Sequence, residues 1–307
     1  MDAIETMRAL PKKHDFFIGI DSDGCVFDTM EVKQKECFCP NFIRYFGFQA
    51  ASKYAREVWE FVNLYSKTRE VWEFVNLYSK TRGCNRFLAV ARALELIAER
   101  PEFAARRISV PPMTDMRAWI EVENKLGNPT LKKLVAEKPT PELKNLLAWS
   151  EAVNADIART VHDVPPFPGF EEAVKEAKKQ ADIIVVSQTP FEALDREWKE
   201  NRIDCYVDFI AGQECGTKAE HLQYSAGGKY APDHILMIGD APGDHKAAQK
   251  NGVLFFPIVP GREEQSWADF RKEGLPRFFA GTFAGAYQQQ LLDDFDRALP
   301  ELPPWKK

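Results

Sequence analysis

The chain has 307 residues, 45% hydrophobic and 28% charged, the make-up of an ordinary globular protein with one large domain or a core plus a smaller module. A formal net charge of -5 argues against a nucleic-acid binder, because phosphate backbones are held by clustered Lys and Arg. The first 15 residues carry Asp2, Glu5, Arg8, Lys12, Lys13 and Asp15 without an apolar signal core, and no apolar run reaches membrane-spanning length. A cytoplasmic protein with no membrane partner is therefore expected. Cysteines stand at 25, 37, 39, 84, 205 and 215; Cys37 and Cys39 have no second pair at zinc-ligand spacing, so reduced, mostly buried thiols are expected.

In chain order, Phe16 to Ile20 reads as a buried parallel strand, a compact apolar run that ends in Asp21, Ser22, Asp23 and Gly24. Side chains at the carboxyl edge of an open parallel sheet face a crevice where ligands bind. Two acids two residues apart in such a place repel one another, so either a positive group sits between them or one holds a proton, and a divalent, oxygen-seeking cation fits best. From Glu31 to about Val164 helical periods dominate, at Glu31 to Tyr45, Arg86 to Arg100, Asp115 to Leu126 and Pro141 to Thr160, with Asn85 as an N-cap candidate. This segment reads as an all-helical insert. Within it, the 13 residues Arg56 to Thr68 are repeated letter for letter as Arg69 to Thr81. Such identity points to a duplicated coding segment rather than a solenoid. Thirteen residues at ~100° each advance a helix by a net ~220°, so a lengthened helix with a break near Ser66 to Arg69 is expected.

Pro165 to Gly169 forms a stiff return linker into a helix from Phe170 to Gln180 and a strand from Asp182 to Val186, followed by Ser187, Gln188, Thr189 and Pro190. A helix from Phe191 to Asn201 and a strand from Val207 to Ala211 come next, and Lys218 opens a helix after Gly216 and Thr217. The strand Ile235 to Gly239 runs into Asp240, Ala241, Pro242, Gly243 and Asp244; a helix to Asn251 and a last strand, Val253 to Ile258, complete the alternation. The remainder is mostly helical, with a loose tail from Pro300. Alternating strands and helices imply an α/β fold, a Rossmann-like, doubly wound parallel sheet. The expected core is residues 1–29 with 165–307, and the expected helical domain is residues 30–164.

Four stretches, taken in order, carry a resemblance: the Asp21-x-Asp23 pair, Ser187 after a strand, Lys218, and Gly239-Asp240-x-x-x-Asp244. Together they resemble the haloacid dehalogenase superfamily, over about the first 30 residues and about residues 165 to 260. The resemblance implies a nucleophilic role for Asp21, an acid and base role for Asp23, a phosphoryl-binding Ser187 and a charge-balancing Lys218. It also implies Mg²⁺ held by Asp21, Asp240 and the backbone carbonyl of Asp23, with Asp244 binding it directly or through a ligand. An insert between the Asp pair and the Ser stretch resembles the helical cap of that superfamily. Gln188, beside Ser187, and Arg82 and Arg86 from the insert are the candidate substrate contacts. Since dehalogenase and phosphonatase relatives dispense with an acid at the place of Asp23, the resemblance implies a phosphomonoester hydrolase acting on a small phosphorylated metabolite.

Each feature alone has a plainer explanation. Asp21 and Asp23 could cap a turn, Ser187 and Thr189 the following helix, and Asp240 and Asp244 could belong to a tight turn with Pro242 and Gly243. Cys25 reads as a small apolar filler rather than a nucleophile. Lys229, in a glycine loop, competes with Lys218 for the catalytic lysine, and Lys218 is preferred because it opens a helix. A phosphate-binding module without turnover, a phosphomutase and a dehalogenase-type enzyme are the other functional readings. Oligomeric state and substrate identity leave no trace in the sequence.

Overall fold

The computed structural model describes residues 3–52 and 85–299. The duplicated segment, Arg82 and the C-terminal tail lie outside the described residues. The chain divides into two compact units, Met1–Met30 with His162–Leu299, and a second that takes in Glu31–Val161.

The first unit is built on five parallel strands: β1 (Phe16–Ile20), β2 (Ala181–Val186), β3 (Phe209–Ala211), β4 (Ile235–Gly239) and β5 (Leu254–Pro257), in the spatial order β3-β2-β1-β4-β5. The strands are apolar runs, Asp182 in β2 excepted, because both sheet faces are covered. Ile18, Ile20, Ile183, Val185, Leu236, Ile238 and Phe256 pack on one face with Phe170, Trp198 and Trp267. Phe17, Ile184, Val186, Met237 and Phe255 pack on the other with Leu222, Ala248 and Phe295. Gly19, in the middle of β1, admits the helix Lys218–Ser225: a Cβ there would stand 2.9 Å from Leu222 Cδ2 and 3.0 Å from Val186 Cγ2.

The chain travels outward from β1 through β2 to β3, then crosses back to β4 on the other side of β1. The crevice between β1 and β4 is thus a topological switch point, where open α/β sheets bind ligands at their carboxyl edge. Ile20 is level with both Val185 and Ile238, and Asp21 N–H donates to Ile238 O at 2.9 Å. Residues just beyond β1, β2 and β4 consequently meet at one edge.

The second unit is helical among its described residues, with a core of Phe42, Phe46, Phe48, Phe87, Trp149 and neighbouring aliphatics. The helix Pro141–Thr160 matches the sequence expectation, and Asn85 caps Arg86–Ala98 by accepting from Phe87 N–H. The stretch expected as a helix from Glu31 begins earlier, at Thr29, and carries a widened π turn at Lys33–Phe38. Pro40 supplies the reason: it has no N–H to give the helix and crowds the carbonyl four residues back, and Cys39 N–H reaches Gln34 O instead. The same device recurs at Phe270–Gly274, before Pro276, in the first unit.

Candidate active site

The sequence after β1 turns at once, with Val26 N–H donating to Ser22 O and Gly24 N–H to Phe27 O, both at 2.8 Å. Two tryptophans fix this turn from below: Trp198 Nε1–H donates to Ser22 Oγ at 3.0 Å and Trp267 Nε1–H to Cys25 O at 2.8 Å. Asp21 is thereby held at the strand tip, 4% exposed, with Oδ1 accepting from Ser22 N–H at 2.8 Å. Its Oδ2 lies 2.7 Å from Lys218 Nζ.

Lys218 reaches this point from the first turn of its helix, which is fixed by Thr217 and Glu220 in a reciprocal cap. The same ammonium sits 2.5 Å from Asp244 Oδ1. Asp244 belongs to the first turn of the helix Pro242–Asn251, and its Oδ2 accepts from Ala241 N–H at 3.0 Å. The turn explanation for Asp244 is therefore half of the story, since one oxygen caps the turn while the other meets the lysine. Gly239 makes this approach feasible: a Cβ at that position would fall 2.4 Å from Asp244 Cγ. Lys229 lies elsewhere and donates to Leu10 O at 3.0 Å.

Asp21, Asp240 and Asp244 each offer a carboxylate oxygen within 4.8 Å of the others, and all three are buried. Three carboxylates against one ammonium leave two negative charges unbalanced, the charge of one divalent cation. Hard oxygen donors and this charge deficit fit Mg²⁺. Burial pushes the Asp21 carboxyl up to about 6, and the charge of Asp244 adds to the rise against the pull of Lys218. Asp244 is likewise raised, by burial first and by Asp240 among its neighbours. Burial disfavours the charged form of Lys218, but the two carboxylates outweigh it and hold the ammonium well above its ordinary range. The Cys25 thiol is raised by burial and by the three acids, which keeps it protonated and consistent with a filler.

Asp23 stands apart from the three-acid group. Its carboxylate accepts from Thr29 Oγ1 at 2.5 Å and from Thr189 Oγ1 at 2.7 Å. Ser187, 2% exposed, follows β2, and its Oγ accepts from Thr189 N–H at 3.2 Å, leaving its own proton to be donated. Gln188 Nε2 donates to Gly216 O at 2.9 Å, tying the serine loop to the lysine loop. Neither Ser187 nor Thr189 caps the next helix, Phe191–Glu200, whose first N–H donates to the Glu214 carboxylate instead. Arg86 belongs to the helical unit, where its guanidinium donates to Ser150 and Asn154 and lies over the Phe38 ring.

Sequence reasoning missed Thr29 and treated Thr189 only as a cap. A hydroxyl residue six positions after Asp23, and another two after Ser187, were the available signals.

Residues 117–258 match the model of the family described as haloacid dehalogenase-like hydrolase. The matched span takes in Ser187, Lys218, Asp240 and Asp244. No curated protein matches the chain. Among solved structures, the chain is similar to a candidate phosphoglycolate phosphatase from Lactobacillus delbrueckii subsp. bulgaricus, at 16% identity over 92% of this chain and 98% of that one, with a TM-score of 0.47. A haloacid dehalogenase-like family protein from Streptococcus pneumoniae shares 14% identity over 84% and 91% of the two chains, with a TM-score of 0.42. CbbY from Rhodobacter sphaeroides, solved in complex with phosphate, shares 16% identity over 81% and 87%, with a TM-score of 0.40. The family match takes in the last three of the four motif stretches, and the parallel sheet brings these to one edge with the Asp21-x-Asp23 pair, so that the chain is similar to haloacid dehalogenase-like hydrolases over residues 117–258.

Proposed function

We propose that this hydrolase cleaves phosphate monoesters through an aspartyl-phosphate on Asp21, with Mg²⁺ as its cofactor and a small phosphorylated metabolite as its substrate. The observation that carries the reading is the Lys218 ammonium lodged between Asp21 and Asp244 at the sheet's switch point, with Asp240 alongside. A carboxylate approaching a phosphoryl oxygen meets a repulsion of ~4 kcal/mol per unit-charge pair at ~4 Å and effective dielectric ~20. That is about a thousandfold in rate, so a nucleophilic carboxylate needs fixed positive charge beside it.

Asp21, Asp240 and Asp244, with the backbone carbonyl of Asp23, would hold the metal, which when bound supplies the positive charge that lets an anionic nucleophile and an anionic ester meet. Asp21 attacks phosphorus through a carboxylate oxygen, and the bond from phosphorus to the ester oxygen breaks. Asp23 gives its proton to that leaving oxygen, then takes one from the water that attacks the aspartyl-phosphate. Ser187 donates its hydroxyl proton to the transferring group, and Lys218 balances charge on it and on Asp21. Gln188 lies at the rim of the same loop and is proposed as a substrate contact through its amide oxygen, with Arg82 and Arg86 as candidates from the helical segment, proposed as a cap. The test is phosphate release from p-nitrophenyl phosphate. Turnover that EDTA abolishes and Mg²⁺ restores is expected, whereas vanadate binding without any turnover would mark a phosphate-binding module instead.

A further inference from the structure

We propose that Thr189 is a positioning residue that aims the Asp23 carboxyl group at the leaving oxygen, an inference that rests on the phosphatase reading above. Both oxygens of Asp23 are engaged by hydroxyl donors, Oδ1 by Thr29 at 2.5 Å and Oδ2 by Thr189 at 2.7 Å. Thr29 lies on the same excursion as Asp23, six residues along. Thr189 arrives from β2 and so references the acid to the part of the sheet that carries Ser187.

Thr189 is itself tightly held. Its N–H donates to Ser187 Oγ at 3.2 Å, and its carbonyl accepts from Gln213 N–H at 3.1 Å. Beside it, Phe191 N–H donates to the Glu214 carboxylate at 3.1 Å and Gln188 to Gly216 O at 2.9 Å. The loop after β2 is therefore fastened to the loop that leads to Lys218, and the Thr189 hydroxyl is the side-chain group through which it touches Asp23. The following helix takes no cap from Thr189, so the hydroxyl is not occupied there. A carboxylic acid donates along one direction, and a hydroxyl fixed to the sheet selects the rotamer that keeps this direction on the ester oxygen. The threonine transfers no proton: the O–H bond of Asp23 breaks, and the leaving oxygen gains that proton as it takes the electron pair of its bond to phosphorus.

The chemistry separates this role from a general loss of folding. A p-nitrophenolate ion departs without help, whereas an alkoxide must be protonated as it leaves. General acids contribute about 10²- to 10⁴-fold. The experiment compares kcat/KM, which covers only the steps up to departure of the leaving group, for p-nitrophenyl phosphate and for an alkyl ester such as glycerol phosphate. Thr189→Val is expected to lower kcat/KM on the alkyl ester at least about 10-fold, a share of that general-acid contribution, and to change the aryl ester by less than about twofold. Thr189→Ser, which retains the donor, is expected to restore the alkyl ester to within about threefold of the wild type. Equal losses on both esters, no loss on either, or a Ser variant as impaired on the alkyl ester as the Val variant would each overturn the proposal. Should Thr189→Val fail to fold, the Ser variant and Thr189→Ala, compared at matched melting temperature, carry the same test. A wild-type protein that cleaves neither ester would instead remove the phosphatase reading itself.

Discussion

Replacing Lys218 by methionine, which fills a similar volume without the charge, probes the electrostatic centre of the site. The ammonium stands 2.7 Å from Asp21 and 2.5 Å from Asp244; both carboxylates are buried and the lysine side chain is only 16% exposed. At 2.7 Å each ion pair is worth about 6 kcal/mol at an effective dielectric of ~20 before the desolvation of the ions is subtracted. Breaking a buried pair by removing one partner costs ~3–5 kcal/mol, because the remaining charge has no compensation. For a unit of this size, with ~2–4 °C per kcal/mol, Lys218→Met is expected to melt about 6–20 °C below the wild type in EDTA. Mg²⁺ at ~100 times its dissociation constant adds ~2.7 kcal/mol to any protein that binds it only when folded, so the metal is expected to recover part of the loss. The phosphatase rate is expected to fall about a thousandfold, from the ~4 kcal/mol of repulsion that the lysine offsets. Thermal melting in EDTA and in Mg²⁺, run beside phosphate release, reads all three. A variant that melts within about 2 °C of the wild type in EDTA would refute the placement of this lysine among the acids.

Gly239→Ala puts a Cβ 2.4 Å from Asp244 Cγ, so Asp244 must shift; a loss of ~1–3 kcal/mol and Mg²⁺ binding weakened at least about tenfold by calorimetry are expected, and unchanged binding would show that Asp244 takes no part in the metal site. Asp21, raised by burial to about 6, favours its protonated form in the metal-free protein, so that contribution to stability is present at low pH and is lost as pH rises through about 6. Mg²⁺ reverses the preference, and the melting-temperature gain from Mg²⁺ is expected to grow between about pH 5 and about pH 7.5; a gain independent of pH would contradict Asp21 as a ligand. Asp182, at the opposite edge of the sheet, accepts from Tyr230 Oη at 2.6 Å, from the N–H groups of Lys13 and His14 at 2.8 and 3.1 Å, and pairs with His14 Nδ1 at 2.9 Å. Burial raises this carboxyl, but those hydrogen bonds outweigh it and hold it below its ordinary value, so its stabilisation is present above pH ~4 and is lost as pH falls further. Asp182→Asn is expected to cost about 2 kcal/mol at neutral pH and to flatten the acid limb of the stability profile, and an unchanged limb in urea melts would contradict it.

The strands and the acids at their ends were legible because their signals are local. β1, β2 and β4 are apolar runs that stop abruptly at polar residues, and the expected strand at Phe16 to Ile20 coincides with the observed one. The gathering of Asp21, Lys218, Asp240 and Asp244 depends on strand order, which rests on the handedness of crossovers and on sheet packing, and only the motif order hinted at it. The π turn before Pro40 escaped notice because a helical period reads through one inserted residue without breaking the apolar pattern. Thr189 was misjudged for another reason: a threonine just before a helix has a ready local explanation, and its partner, Asp23, is 166 residues away. The helix Ala3–Arg8, too short to show a period, was not anticipated at all.

Covalent capture addresses the nucleophile directly. Enzyme mixed with a ³²P-labelled phosphate monoester in Mg²⁺ and quenched in acid during turnover is expected to carry label on the peptide that contains Asp21, and the Asp21→Asn variant to carry none and to release no phosphate. Continued phosphate release by Asp21→Asn, or label recovered on a different carboxylate of the wild-type chain, would contradict the assignment of Asp21 as the attacking group.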